Sequence, residues 1–269
     1  MREIRLGLIG AGNMGEAIVR GILGAGVLQA DEILAADPDA NRRKLFEDEL
    51  GIRTFDESGP VVEQASVILL AVKPQMFDKA LVPVASLLGP DSLLISICAG
   101  IATRHIEAMA ATGTRVVRAM SNTPIVVGRG IVALSGGANA AEEDLGTAER
   151  LLGAAAEVLR VPEELMDAVT AVSGSGPAYF FYLVELLAAA GVEVGLSEED
   201  AERLARVTFE GAARLLAESG EEPEALRAKV TSPGGTTEAA IRTFDALGFP
   251  KMVAAAVKAA RDRGRELGR

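Results

Sequence analysis

The run LGLIGAGNMGEAIVRGIL, residues 6–23, leaves few options for the chain that carries it. An apolar strand pattern meets Gly10-Ala11-Gly12-Asn13-Met14-Gly15 and gives way at once to helical spacing. Gly10 permits a tight turn, Gly12 lets the backbone approach a pyrophosphate, and Gly15 lets helix and strand pack closely. Three glycines alone are a weak signal, but here they occupy the strand–turn–helix context that a dinucleotide site requires. Asp37 ends the next strand pattern, where a carboxylate accepts hydrogen bonds from a ribose 2′-OH and repels a 2′-phosphate. That favours NADH. Arg42 and Arg43 follow, on what would otherwise be a solvated helix face, and an arginine there could grip a 2′-phosphate, so NADPH stays open.

The alternation continues beyond this unit. Strand patterns fall at 4–10, 32–36, 66–72, 92–98, 115–120 and 130–135, with a short one at 156–161. Amphipathic helix patterns near 14–25, 39–50, 76–88, 103–111 and 141–156 lie between them. Continuous apolar strands separated by helices indicate an α/β, doubly wound, mostly parallel sheet covered on both faces. Ligands bind such sheets beyond the strand C-termini. Ala71-Val72-Lys73-Pro74 and Cys98-Ala99-Gly100 hold that position and are candidate cofactor contacts. After Pro162 no strand pattern remains, and helical segments run over 163–171, 177–194, 197–219, 223–230 and 236–266. The expectation is a dinucleotide-binding domain over 1–161 and an all-helical domain over 162–269. Helices so rich in Ala and Leu commonly bury their apolar faces against another subunit.

Composition narrows the chemistry. One cysteine and one histidine in 269 residues exclude an internal disulfide, a cysteine cluster and a multi-histidine metal site, so no metal is expected. A net charge of −11 argues against nucleic acid as a partner. Cys98 reads as a small buried hydrophobe and His105 as a surface residue. No apolar run stands out as a membrane helix; the longest evident one is VILLAV, 67–72. The charged N-terminus enters a strand pattern directly, so a cytoplasmic protein without a membrane partner is expected.

One stretch resists the helical pattern around it. In KVTSPGGTTEAAIRTF, 229–244, Pro233 and two glycines interrupt a helix that then restarts at the threonines, a costly break unless it serves a ligand. A helix start offers unpaired N–H groups and a partial positive charge, which suit an anion. A second glycine-rich turn, Ser173-Gly174-Ser175-Gly176-Pro177, also precedes a helix, and Ser175 is taken as a residue near the substrate, with helix capping as the plainer alternative.

Taken together, GAGNMGEA (10–17), AVKP (71–74), RAMSNTP (118–124), AVSGSGPAYFF (171–181) and KVTSPGGTTEAAI (229–241) closely resemble pyrroline-5-carboxylate reductase, almost end to end and in order. The resemblance implies a Rossmann-like domain and a helical domain that dimerises, with room for a higher homo-oligomer such as a decamer. It implies a substrate site between one subunit's cofactor and the partner's helical domain. The substrate carboxylate would meet backbone N–H groups around Ser232, Gly234, Gly235 and Thr236, and the Thr237 hydroxyl would meet the ring nitrogen. Asn122 would join the cofactor contacts. Members that prefer NADPH often carry Ser or Thr where this chain has Asp37. The nearest rival is a β-hydroxyacid dehydrogenase, whose catalytic lysine lies on a helix of the second domain. Lys229, Lys251 and Lys258 are the lysines beyond residue 160, and none falls within 177–194 or 197–219. A nicotinamide-binding protein without turnover is a further alternative, disfavoured because such a protein has no use for a second anion site.

Overall fold

The computed structural model describes residues 4–267. Eight strands form one sheet: β1 (Ile4–Ile9), β2 (Ile33–Ala36), β3 (Arg53–Phe55), β4 (Ala65–Leu70), β5 (Leu93–Ser96), β6 (Arg115–Ser121), β7 (Gly130–Gly136) and β8 (Ala156–Arg160), in the order β3-β2-β1-β4-β5-β6-β7-β8. All neighbours are parallel except β6 and β7. That pair is joined by one 3-10 turn, Thr123–Val127, too short for the crossover that parallel strands need.

Helices cover both faces. α1 (Asn13–Gly24), α2 (Ala40–Leu50) and α6 (Glu142–Leu152) pack on one; α3 (Gly59–Gln64), α4 (Phe77–Leu81) and α5 (Thr103–Met109) pack on the other. Strand residues divide between the faces with period 2. On β5, Leu93 and Ile95 join Ile18, Val19 and Ile22 of α1, whereas Leu94 joins Val61, Phe77 and Ile106. β3 and α3 escape the sequence reading, because three and six residues are too few to display a period. The helix expected over 76–88 is a short α4 followed by a 3-10 segment, Val82–Leu87, with Pro83 in its first turn.

Past β8 come a short α7 (Met166–Val169) and a π turn, Thr170–Gly174, and then α8 (Gly176–Glu193), α9 (Glu198–Ser219), α10 (Pro223–Lys229), α11 (Thr236–Ala246) and α12 (Phe249–Leu267). The single helix expected over 236–266 is two. Gly248 adopts φ +79°, a left-handed position that ends α11, and Pro250 suits the first turn of α12. By compactness the first unit runs to Ser175 and takes back the chain from Ala260, and the second is Gly176–Ala259, whereas the sequence reading puts the boundary near 161.

The first unit contains nearly all the core. In the second, α8 and α9 pair through Phe180 and Phe209, whose rings lie 5.7 Å apart, and through Gly191, where a Cβ would come within 3.0 Å of the Ala201 Cβ. Yet Gly176, Ala201 and Ala205 are its buried residues, while Phe180, Phe181, Tyr182, Leu186 and Leu187 are exposed. The helical stretch Glu163–Glu193 is long and apolar enough to cross a membrane by length and composition, with 6% of its most apolar window buried. Sequence inspection overlooks this because the Ser173–Pro177 turn and Glu185 interrupt the run.

Candidate functional site

β1 and β4 are adjacent, and the chain departs from them in opposite directions, which opens a crevice beyond their C-terminal ends. Gly10 leaves β1 at φ +97°, and a Cβ there would lie 2.7 Å from the Ala71 carbonyl oxygen. A Cβ on Gly15 would lie 2.6 Å from the Gly10 carbonyl oxygen. Both glycines are required by the protein's own packing. Gly12 differs: a Cβ there would meet nothing within 4 Å. It caps α1 without any side-chain hydrogen bond, so the first N–H groups of that helix, at Asn13, Met14 and Gly15, have no partner within the helix. Open space in front of unpaired donors is what a pyrophosphate would fill, and the residues present fit a dinucleotide.

A cavity of about 620 Å³ adjoins this turn, lined by Gly10, Gly12 and Asp37 on one side and by Ala71, Val72 and Lys73 on the other. That volume suits a cofactor. Ser58, Gly59, Met76 and Lys79 also contribute to its wall. Sequence reasoning misses them because they sit on the short elements after β3 and β4. Pro74 opens a 3-10 turn beside the cavity and, like Asn13, Met14, Gly15, Ala99 and Gly100, does not line it.

Asp37 is more engaged than its position suggests. Its Oδ2 accepts the Ala11 N–H at 2.8 Å and its Oδ1 accepts the Asp39 N–H at 2.9 Å. The two arginines are not a solvated face. Arg42 Nε donates to the Ala11 carbonyl at 2.6 Å and its Nη2 pairs with Glu16 at 2.6 Å. Arg43 donates to the Asp37 and Pro38 carbonyls at 2.8 and 2.9 Å. Partial burial would raise the Glu16 carboxyl, but the hydrogen bonds from Arg42 and Arg20 outweigh it and hold the group below the usual glutamate range.

Cys98 is buried, with its thiol directed at the Val72 carbonyl 3.3 Å away. Burial pushes that thiol up from its ordinary pKa, so any contact with a ligand falls to its backbone. A thiol-specific reagent at pH 7 is therefore expected to modify the native protein at least a hundredfold more slowly, on the order set by burial, than the chain in denaturant. Equal rates would contradict the placement. His105 is half-exposed on α5, 3.9 Å from Asp78, and serves as a surface residue. Asn122 accepts the Ile131 N–H through Oδ1 at 3.0 Å, which holds the β6–β7 turn.

Within the second unit, the Ser232–Thr237 turn lies at the start of α11, exposed at Ser232, Gly234 and Thr236 and partly buried at Gly235 and Thr237. Gly234 takes φ +72° with nothing within 4 Å of a Cβ. Its N–H is already held by Glu238 at 2.8 Å, and the Gly235 N–H by the Ser232 carbonyl at 3.0 Å. The donors left at the helix start are therefore those of Thr236, Thr237 and Glu238, whereas the glycine donors that the sequence suggests are already engaged. The other glycine turn packs inward within the first unit. A Cβ on Gly174 would meet the Met120 Cε at 2.3 Å, Ser173 Oγ donates to the Val169 carbonyl at 3.0 Å, and Ser175 N–H closes the π turn on Thr170 at 2.8 Å. Among the described residues no group of three or more His, Cys, Asp or Glu side chains could hold a metal ion.

Residues 163–267 match the family model described as pyrroline-5-carboxylate reductase dimerisation, and residues 5–100 match one described as NADP oxidoreductase, coenzyme F420-dependent. Curated relatives align over nearly the whole chain. A pyrroline-5-carboxylate reductase of Pseudomonas aeruginosa is 42% identical over 99% of this chain and 98% of its own. One of Arabidopsis thaliana is 40% identical over 98% and 96%. Among solved structures, a pyrroline-5-carboxylate reductase of Coxiella burnetii superposes with a TM-score of 0.91 at 32% identity, covering 99% of both chains. That of Plasmodium falciparum with NADP bound superposes at 0.84 with 28% identity, covering all of both chains.

Proposed function

The chain belongs to the pyrroline-5-carboxylate reductase family, and from that premise we propose how its own residues divide the work. The enzyme is an NAD(P)H-dependent oxidoreductase that reduces the cyclic imine 1-pyrroline-5-carboxylate to L-proline. A bound reduced nicotinamide supplies the hydride. The acceptor carbon is electrophilic only when the ring nitrogen is protonated, and that iminium forms in solution near neutral pH. The protein then has mainly to orient two bound partners. This suits a chain whose single histidine is a surface residue.

In our reading the cofactor lies along Gly10, Gly12, Asn13, Met14 and Gly15 and is flanked by 71–74, 98–100 and Asn122. Asp37 receives the ribose and favours NADH. The observation that carries the substrate assignment is the outward-facing Ser232–Thr237 turn. Its glycine backbone admits a small carboxylate without a side chain in the way, and Thr236 and Thr237 supply donors at the start of α11. For Gly234 to join them, Glu238 must release its N–H and turn fully to Arg242, which it already meets at 3.0 Å. Thr237 positions the ring nitrogen through its hydroxyl, whose own acidity is too weak for it to be a lone proton source. Ser175 serves the substrate side through the turn that begins α8. The protein is soluble and cytoplasmic in this reading. It is homo-oligomeric through its helical unit, as a dimer that can build larger assemblies such as a decamer.

Steady-state reduction of the imine with each cofactor at neutral pH tests this. NADH is expected to be roughly tenfold more efficient, the value of one charge-assisted contact, and Thr237→Val to lower turnover with little change in cofactor KM. A preference for NADPH would shift the assignment from Asp37 to the arginines. Full activity of the Thr237 variant would remove Thr237 from the site.

A further inference from the structure

Ala11, the residue between the first two glycines of the cofactor turn, has both polar groups of its backbone held from α2 and the loop before it. Its N–H goes to Asp37 Oδ2 at 2.8 Å and its carbonyl to Arg42 Nε at 2.6 Å. Ala11 itself is 1% exposed, so neither group has ready access to water in place of these partners. The same guanidinium reaches Glu16 on α1 through Nη2 at 2.6 Å, and Glu16 is anchored again by Arg20 at 2.8 Å. Arg42 therefore ties three things together: the turn, the first turn of α1, and the start of α2.

We propose that Arg42 is a positioning residue for the nicotinamide dinucleotide, acting through Ala11 and Glu16 to fix the glycine turn, and is not a ligand of a 2′-phosphate. An arginine after the second strand of such a fold invites the opposite reading. The geometry explains why that reading fails for Arg42. A phosphate arriving beside Asp37 would have to draw the guanidinium from a carboxylate with which it already makes a charge-assisted bond, and leave a buried carbonyl without its donor. Arg43 is held by neutral carbonyls alone and is the cation with less to give up. Asp37 likewise has two tasks. A change to Ser removes the carboxylate that accepts the Ala11 N–H along with the ribose contact.

The inference rests on the reading that the turn binds the cofactor, and the experiment separates the two. KM for NADH and for NADPH is measured for the wild type and for Arg42→Ala, Arg42→Lys, Glu16→Gln and the Arg42→Ala/Glu16→Gln pair, with thermal midpoints alongside. Arg42→Ala is expected to raise both KM values by a similar factor, about tenfold for the loss of a charged hydrogen bond to the turn. Arg42→Lys recovers part of it. Glu16→Gln produces a smaller rise, and the double variant is no worse than Arg42→Ala, because the two side chains act as one unit. A loss confined to NADPH makes Arg42 a phosphate ligand and overturns the proposal, as does a fall in thermal midpoint with both KM values intact. Gly12→Val judges the cofactor reading by itself. If that variant binds NADH normally, the turn is not the cofactor site, whatever Arg42 does.

Discussion

Phe181→Glu combined with Leu186→Lys is expected to leave the protein unable to assemble at micromolar concentration and to lower its thermal midpoint in the same step. Phe181 is 63% and Leu186 47% exposed in the single chain. The helix that carries them is apolar around nearly its whole circumference, with Glu185 and Glu193 as its charges. A helix of that kind is buried in the finished protein. Within the second unit α9 is the helix that packs on it, and Gly176, Ala201 and Ala205 are the residues that become buried. The match of 163–267 to a dimerisation domain supports another copy of the chain as the cover. Burying a Phe or Leu contributes roughly 2–3 kcal/mol, and a two-fold interface counts each substitution twice. Two sites therefore shift the dimer by about 8–12 kcal/mol if both lie at its centre, and by roughly half that at its rim, which is about three to four powers of ten in dissociation constant. Sedimentation velocity and calorimetry read both effects. Because the unit has no core apart from its partner, dissociation and loss of stability should coincide. An assembled variant with an unchanged midpoint would place this face outside the interface.

How much of this was visible in the residues depends on distance along the chain. The roles of Gly10 and Gly15 follow from local spacing, and the clashes that a Cβ would make confirm them. The sheet was legible because β4 and β5 are almost wholly apolar runs and β1 and β6 are apolar runs interrupted by one or two arginines. β3 was not, since three residues with an exposed arginine show no pattern. The break at Gly248 could have been read from Gly248 and Pro250, but the alanine-rich helical spacing on either side masked it. What the sequence conceals is long-range commitment. Arg42 stands 31 residues from the carbonyl it holds, and Glu238 takes the N–H of a glycine that motif reading leaves open for substrate. Polar side chains find such partners only when the fold brings them together, and no periodicity announces it.

Gly12→Val should separate binding from folding more cleanly than any other change to the turn. At Gly10 and Gly15 the protein itself forbids a side chain. A Cβ at Gly10 meets backbone at 2.7 Å in a left-handed conformation, and one at Gly15 meets backbone at 2.6 Å. Neither neighbour can give way without moving a strand or α1, so Gly10→Ala and Gly15→Ala should each cost about 2–4 kcal/mol of stability, as overpacking combined with backbone strain does. Gly12 faces open space and has an extended φ of −70° that any residue adopts. The apo protein should therefore accept valine there at the cost of a poorer helix cap, about 1 kcal/mol or a few degrees of thermal midpoint. The cofactor should not. Valine would stand between the pyrophosphate and the N–H groups of α1, and the loss of several charge-assisted bonds to backbone predicts a fall in affinity of at least about a hundredfold for NADH and NADPH alike. Fluorescence titration of each cofactor, with a melting curve of the apo protein, checks both halves. If valine at this position melts the protein as alanine at Gly10 does, the space at Gly12 is a structural requirement of the turn. If it binds both cofactors as before, the dinucleotide does not approach the backbone at α1.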